Sequence, residues 1–364
     1  MGIKGLSKIL KDRKLEKRFK RPDVKIDRIA VDISILIHAK YYTARKAAIG
    51  RVDPLFKDPT EEDVLNELYS LILHFANDMM KDGILPIFVF DGEHCEEKKL
   101  TQKSRVDSRE KMKQKYDDIR EKLLEIRKGL QDGTLAMDCS VFCRVEEYKK
   151  AYCSNSALPK DTKSLCEEFL RTISLPVLKA RGEAENLCTA LCREGYVDGV
   201  YSTDTDNLAM GCPLMFKQLS HEPYSKDDKF YSLVFIGYDM NDILESFDMS
   251  LEEFKDFCIL LSCDFNKNIP KMGPVGCQKM AASILSGKRG GVWLEKVPKD
   301  TSCLNYERCR EIFDTTLRED ERLVFGQSIK YSPNVFRMVT AITNLPSGKL
   351  IVDEYLRHVA TVKR

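Results

Sequence analysis

Acidic residues stand just past four short apolar runs: Asp32, Asp91, the doublet Glu183 and Glu185, and the doublet Asp204 and Asp206. Clustered carboxylates supply the hard oxygen ligands that Mg²⁺ prefers. Phosphodiester hydrolysis commonly uses two such ions about 4 Å apart, to activate water and steady the leaving oxygen. A lone Asp after a strand is ordinarily a turn residue or a helix cap. Four strand ends bearing acids, two of them as doublets, exceed what capping accounts for, and a metal site is the expectation. Residues two apart share a face on extended chain but point to different sides of a helix, so both doublets are expected on strand ends.

The elements that must position these acids are the apolar runs themselves: Ile29 to Val31, Pro86 to Phe90, Leu175 to Leu178 and Gly199 to Tyr201. Runs of this length without alternation read as parallel strands buried on both faces and separated by helices. In an open α/β sheet, ligands bind outside the carboxyl ends of the strands, where these acids would converge. Residues 93–163 read as an excursion from the sheet. Its first part, Glu96 to Lys128, has twelve Lys or Arg, eight Asp or Glu and no Pro or Gly, the pattern of a solvent-exposed helix. Gly129 and Gly133 then break it. After Met240 the chain reads as mainly helical, with Leu251 to Leu261 ending at Ser262-Cys263-Asp264.

A chain of 364 residues with 43% hydrophobic content can build one large or two modest domains. No apolar run is long enough to cross a bilayer. Thirteen cysteines scattered through the chain, with no signal peptide visible, predict free thiols and an intracellular protein. Cys139, Cys143 and Cys153 raise a zinc site against plain thiols, but no His lies nearby to complete one. The 59 basic and 57 acidic residues nearly cancel, so bulk charge does not by itself announce a nucleic-acid partner.

Six segments taken together resemble the ordered motif set of the flap endonucleases, a family of structure-specific 5′-nucleases. They are Met1-Gly2-Ile3-Lys4-Gly5-Leu6, Ala30-Val31-Asp32-Ile33-Ser34, Val89-Phe90-Asp91-Gly92, Gly182-Glu183-Ala184-Glu185, Ser202-Thr203-Asp204-Thr205-Asp206 and Leu260-Leu261-Ser262-Cys263-Asp264. The likeness covers roughly residues 1–285. It implies an α/β, parallel-sheet, PIN-like 5′-nuclease core with a helical arch and a helix-two-turn-helix DNA-binding region. The expected organisation is an N-terminal nuclease region (1–92), the arch or insertion (93–163), an internal nuclease region (164–240), and the helix-two-turn-helix with a C-terminal segment (241–364). Asp32, Asp91, Glu183, Glu185, Asp204, Asp206 and Asp264 are implied as the ligands of two Mg²⁺ ions, with Mn²⁺ able to substitute. Removing these seven negatives from the formal net charge of +2 leaves the rest of the chain at +9, which suits a phosphate backbone.

Lys98, Arg105 and Arg109 would share one helix face, either as a solvated charged stripe or, as the resemblance implies for Lys98 and Arg105, as arch residues that steer the scissile phosphate. Ile269 to Gly276 followed by Cys277 to Leu285 resembles the family's helix-two-turn-helix, whose turn offers backbone groups and a K⁺ ion to one DNA strand. The DNA-binding set implied is Gly2, Arg45, Lys98, Arg105, Glu183, Ser262, Asp264, Gly273, Gly276 and Lys279. Departures are Lys271 in place of a usual Gly, Val275 and Gly276 where basic residues are common, His38 in place of a stacking Tyr, and Phe75 in place of a DNA-contacting Arg. His38 reads equally as a base-stacking surface or as helix packing. The excursion spans more residues than its family counterpart, with the extra length around Asp132 to Lys160.

The resemblance implies endonucleolytic cleavage at 5′ flaps, with 5′–3′ exonuclease activity, in DNA replication and repair, by a monomer in the nucleus or another replication compartment. Alternatives are a Holliday-junction resolvase or exonuclease of the same superfamily, and an inactive nucleic-acid-binding scaffold. No sliding-clamp box of the form Q-x-x-[ILM]-x-x-[FY]-[FY] is found towards the C-terminus, which withholds support for a clamp partner.

Overall fold

A computed structural model describes residues 2–20, 23–92, 99–155, 157–223, 231–287, 297 and 300–322. The predicted runs form β2 (Arg28–Asp32), β3 (Leu85–Phe90), β4 (Val177–Lys179) and β5 (Gly199–Tyr201), all mutually parallel. Three further strands are β1 (Lys17–Lys20), β6 (Leu214–Pro223) and β7 (Tyr231–Asp239). The sheet order is β1-β7-β6-β5-β2-β3-β4. β6 joins the parallel centre beside β5, while β7 and β1 add an antiparallel edge, so the sheet is mixed rather than wholly parallel.

The parallel strands are apolar at their centres because helices cover both faces. Ala30, Ile87, Val89 and Val200 face one core, and Ile29, Val31, Phe88 and Phe90 face the other. On the second face lie α2 (Ile33–Gly50), α3 (Glu61–Lys81), α5 (Cys139–Ser154) and α6 (Thr162–Thr172). The charged stretch is α4 (Lys99–Gln131), which runs through Gly129; the glycine that ends it is Gly133, at φ 68°. This helix is not wholly solvated, since Ile119 and Leu123 are buried in the second core.

The first face is covered by α1 (Leu6–Asp12), α7 (Ala184–Arg193), α8 (Asp206–Ala209), α9 (Met240–Phe247) and α10 (Leu251–Leu261). Beyond them lie α11 (Pro274–Gly287) and α12 (Tyr306–Phe313). A capping box at Ser250 and Glu253 starts α10. Arg310 then holds the buried Asp256 of α10 through two 2.6 Å bonds, so the segment that follows α11 is fastened back onto the helices of the first face. Among the described residues, no helix is long and apolar enough to cross a membrane.

Candidate active site

The strand order reverses at β2: β3 and β4 continue to one side, β5 and β6 to the other. The crevice at the carboxyl ends of β2 and β5 is therefore the topological switch point of the sheet. Asp32 is the last residue of β2, and Asp204 lies three residues past β5.

Asp32 also caps α2, its Oδ1 accepting from Ser34 N–H at 3.1 Å and Ile35 N–H at 3.4 Å. Burial, followed by the charges of Asp91 and Asp204, pushes its carboxyl up to about 7. Asp91 directly follows β3 and accepts on both oxygens: Oδ1 from Ala184 N–H at 3.0 Å, Oδ2 from Ser34 Oγ–H at 2.5 Å and from Lys163 Nζ at 2.9 Å. Burial pushes Asp91 up as well, but the Lys163 charge and these bonds outweigh it and hold the carboxyl below its usual range.

Glu185, Asp204 and Asp206 are all buried, with carboxylate oxygens within 4.8 Å of one another. The two doublets reach this place at helix starts rather than on extended strand ends. Glu183 is the N-cap of α7 in extended backbone, Glu185 lies in its first turn, and Asp206 opens α8. A chain that passes from extended cap to helical turn within two residues redirects the second side chain, which is why spacing alone misplaced them. Burial and then the charges of Asp32, Asp91 and Glu185 push the fully buried Cys188 thiol on α7 well up. Buried carboxylates this close repel one another strongly in the absence of a cation, and an all-oxygen donor set suits a hard divalent ion; the residues fit such an ion.

The N-terminal segment is wedged against this centre. Ile3 N–H donates to Thr205 Oγ1 at 2.9 Å and Lys4 N–H to the Ser262 carbonyl at 2.9 Å, joining the Asp204 loop to the loop that carries Asp264. Gly5, at φ 74°, packs so closely on Pro274 that a Cβ would lie 2.7 Å from its Cγ, so the same segment also touches the start of α11. Ser262 at φ 82° and Lys271 at φ 60° occupy left-handed backbone, which glycine would accept without strain. Gly273 and Lys279 are exposed and Gly276 half-buried.

Arg45 is buried at 9% exposure, its Nε donating to the Tyr152 carbonyl at 2.8 Å and its guanidinium lying 3.7 Å from the Tyr152 ring centroid; it belongs to the α2–α5 junction. Phe75 is core, packed edge-on against Tyr201, and offers no surface for a base. His38 is half-buried on α2. Lys98 lies outside the described residues, and Arg105 is described only as a backbone position of α4. Cys139 and Cys143 are exposed while Cys153 is buried. Lys163 and Ser34 were not singled out by sequence, although Ser34 lies inside a quoted motif. Beside Glu183 opens a cleft of about 650 Å³, lined also by Arg181, Phe265, Arg308 and Arg318.

The chain matches the XPG N-terminal domain over residues 1–112 and the XPG I-region over residues 174–264. It is 27% identical over 337 residues to flap endonuclease 1 of Glycine max, covering 90% of this chain and 75% of that protein. With flap endonuclease 1 of Enterocytozoon bieneusi it shares 30% identity over 276 residues, 75% of this chain and 67% of the relative. Among solved structures, flap endonuclease-1 from Methanococcus jannaschii superposes with a TM-score of 0.55 at 18% identity over 95% of this chain and 96% of that one. The catalytic core of Rad2 in complex with DNA substrate gives 0.54 at 16% over 98% and 100%, and human GEN1 in complex with Holliday junction DNA 0.54 at 16% over 99% and 78%. The two matched regions contain the acids at the switch point, and this chain belongs to the XPG and flap endonuclease family of structure-specific, DNA-binding nucleases.

Proposed function

We propose that this protein is a divalent-metal-dependent 5′ flap endonuclease that hydrolyses DNA at single-strand/double-strand junctions, with 5′–3′ exonuclease activity as its companion, in replication and repair. The observation that carries the reading is the buried triad Glu185, Asp204 and Asp206 at the switch point of the sheet. Asp32, Asp91, Glu183 and Asp264 complete the proposed set of seven ligands for two Mg²⁺ ions, which Mn²⁺ could replace. Bound there, the ions supply Lewis-acid polarisation of the scissile phosphate and of the attacking water.

The protein's own groups have three tasks in this reading. Asp32 is fixed by the first turn of α2, and Asp91 by Ala184 N–H and Ser34, so the carboxylates are pre-oriented at no cost when substrate arrives. Lys98 and Arg105, at the start of the arch, steer and hold the scissile phosphate as charge builds on it. Gly273, Gly276, Lys279 and a K⁺ ion at the turn before α11 grip one strand of the duplex without reading sequence. Gly2, Glu183 and Asp264 line the path of the cleaved strand, with the buried Ser262 behind them.

Cleavage of a 5′-labelled double-flap DNA, beside gapped duplex and four-way junction DNA, tests this with the wild type and Asp204→Asn. Mg²⁺-dependent cutting near the flap base by the wild type alone is the expected result. Cutting only at the four-way junction would make the protein a junction resolvase, and binding without cutting would make it a scaffold.

A further inference from the structure

Lys163 belongs to none of the motifs that carry the family likeness, yet its ammonium reaches into the acidic centre. Its Nζ lies 2.9 Å from Asp91 Oδ2 and 2.9 Å from Ser34 Oγ. It stands in the first turn of α6, immediately after the lengthened excursion that ends near Lys160. Asp91 is only 17% exposed at its side chain, and among the described residues Lys163 is the cation that pairs with it. Were this an ordinary surface pair it would contribute little. Here both oxygens of the carboxylate are already engaged, by Ala184 N–H on one and by Ser34 and Lys163 on the other.

We propose that Lys163 is a positioning residue that serves as an internal counter-ion to Asp91 and competes with the catalytic metal for that carboxylate. The inference rests on the reading of Asp91 as a metal ligand given above. An ammonium 2.9 Å from the carboxylate already offsets its charge, and it repels a divalent ion bound to the same group. Filling the metal site therefore works against the Lys163 charge, which weakens the hold of Asp91 on the ion. Because Lys163 opens the helix that returns the chain from the arch, the metal affinity of the centre is set at the base of that arch.

The test is a titration of DNA-free protein with Mn²⁺, following the free ion by electron paramagnetic resonance, on wild type, Lys163→Met, Lys163→Gln, Lys163→Arg and Asp91→Asn. Removing the charge tightens one Mn²⁺ site by on the order of tenfold in both neutral variants, while Lys163→Arg stays close to wild type. A purely structural lysine would leave affinity unchanged or weaken it on removal, and either outcome in both neutral variants overturns the proposal. Lys163 is 38% exposed at its side chain, so the substitutions leave the fold intact, which thermal unfolding of each variant checks. If Asp91→Asn loses no Mn²⁺ site, Asp91 is not a ligand and that reading falls, taking this one with it. If Asp91→Asn loses a site and the Lys163 variants do not change it, only the role of Lys163 is wrong.

Discussion

Gly2 lies directly against the Asp204 carboxylate: a Cβ on Gly2 would sit 2.2 Å from Asp204 Oδ1, 2.7 Å from Thr205 Oγ1 and 2.9 Å from Asp206 N. The backbone there has φ 85°, and Asp204 and Thr205 are buried, so neither the chain nor its neighbours can yield cheaply. Gly2→Ala is expected to lower the single-turnover cleavage rate roughly 5- to 150-fold, through about 1–3 kcal/mol of displaced geometry, with a small drop in unfolding temperature. Wild-type turnover in that variant would show that the N-terminal segment does not hold the acidic loop in place.

The buried triad makes a paired prediction about stability and activity. Replacing Asp206 by its amide isostere removes one of three like charges packed within 4.8 Å. Asp206→Asn should therefore raise the unfolding temperature of metal-free protein by about 2–4 °C, abolish the further rise that Mg²⁺ gives the wild type, and cut turnover by at least ~10². Differential scanning calorimetry with and without Mg²⁺ measures both shifts. A metal-free variant less stable than wild type would mean that the charges of the triad are already compensated inside the protein.

Arg45 tests whether a position matched by sequence is a DNA contact or a packing residue. Its guanidinium stacks on Tyr152, and its Nε bonds the Tyr152 carbonyl of α5. Arg45→Ala should cost about 2–4 kcal/mol in urea unfolding, since it removes a desolvated cation–π contact and leaves a buried carbonyl unpaired. Duplex affinity, by fluorescence anisotropy, should change by less than ~3-fold. Unchanged stability with a tenfold loss of affinity would restore Arg45 to the DNA interface.

What the sequence disclosed and what it withheld follow from the range of the interactions. β2 and β3 were legible because Ile29 to Val31 and Pro86 to Phe90 are apolar at every position, as burial on both faces demands, and each run ends at an acid. The convergence of Asp32 and Asp204 followed from the parallel reading. The backbone at Glu183 and Asp206 did not, because a helix cap beginning between two acids changes where each points. β6, β7 and the antiparallel edge carry no local signal as distinctive as an apolar run before an acid. Lys163 was invisible for a different reason: it lies 72 residues from Asp91 in a charged stretch where any lysine resembles a solvated one. Arg310 reaches Asp256 across 54 residues in the same way.

Asp58 fastens α4 and α5 to the core and should make that junction acid-labile. It precedes α3, and its Oδ1 accepts from Tyr148 Oη–H of α5 at 2.8 Å and from Arg127 Nη2 of α4 at 2.5 Å, while Arg120 Nη2 lies 3.3 Å from Oδ2. Burial alone would push the carboxyl up, but the Tyr148 bond and then the Arg127 bond and charge outweigh it, leaving the carboxyl below its ordinary 3.8. A carboxyl whose folded value is depressed contributes stability that is present above its unfolded value and is lost as pH falls through the folded one. Asp58→Asn should therefore be less stable than wild type by about 1–3 kcal/mol at pH 7, and the gap should close as pH is lowered below 3.8. Urea unfolding of both proteins across that range measures the gap. A difference that stays constant with pH would mean that the amide fails through shape rather than charge, and that α4 and α5 are held at Asp58 by packing alone.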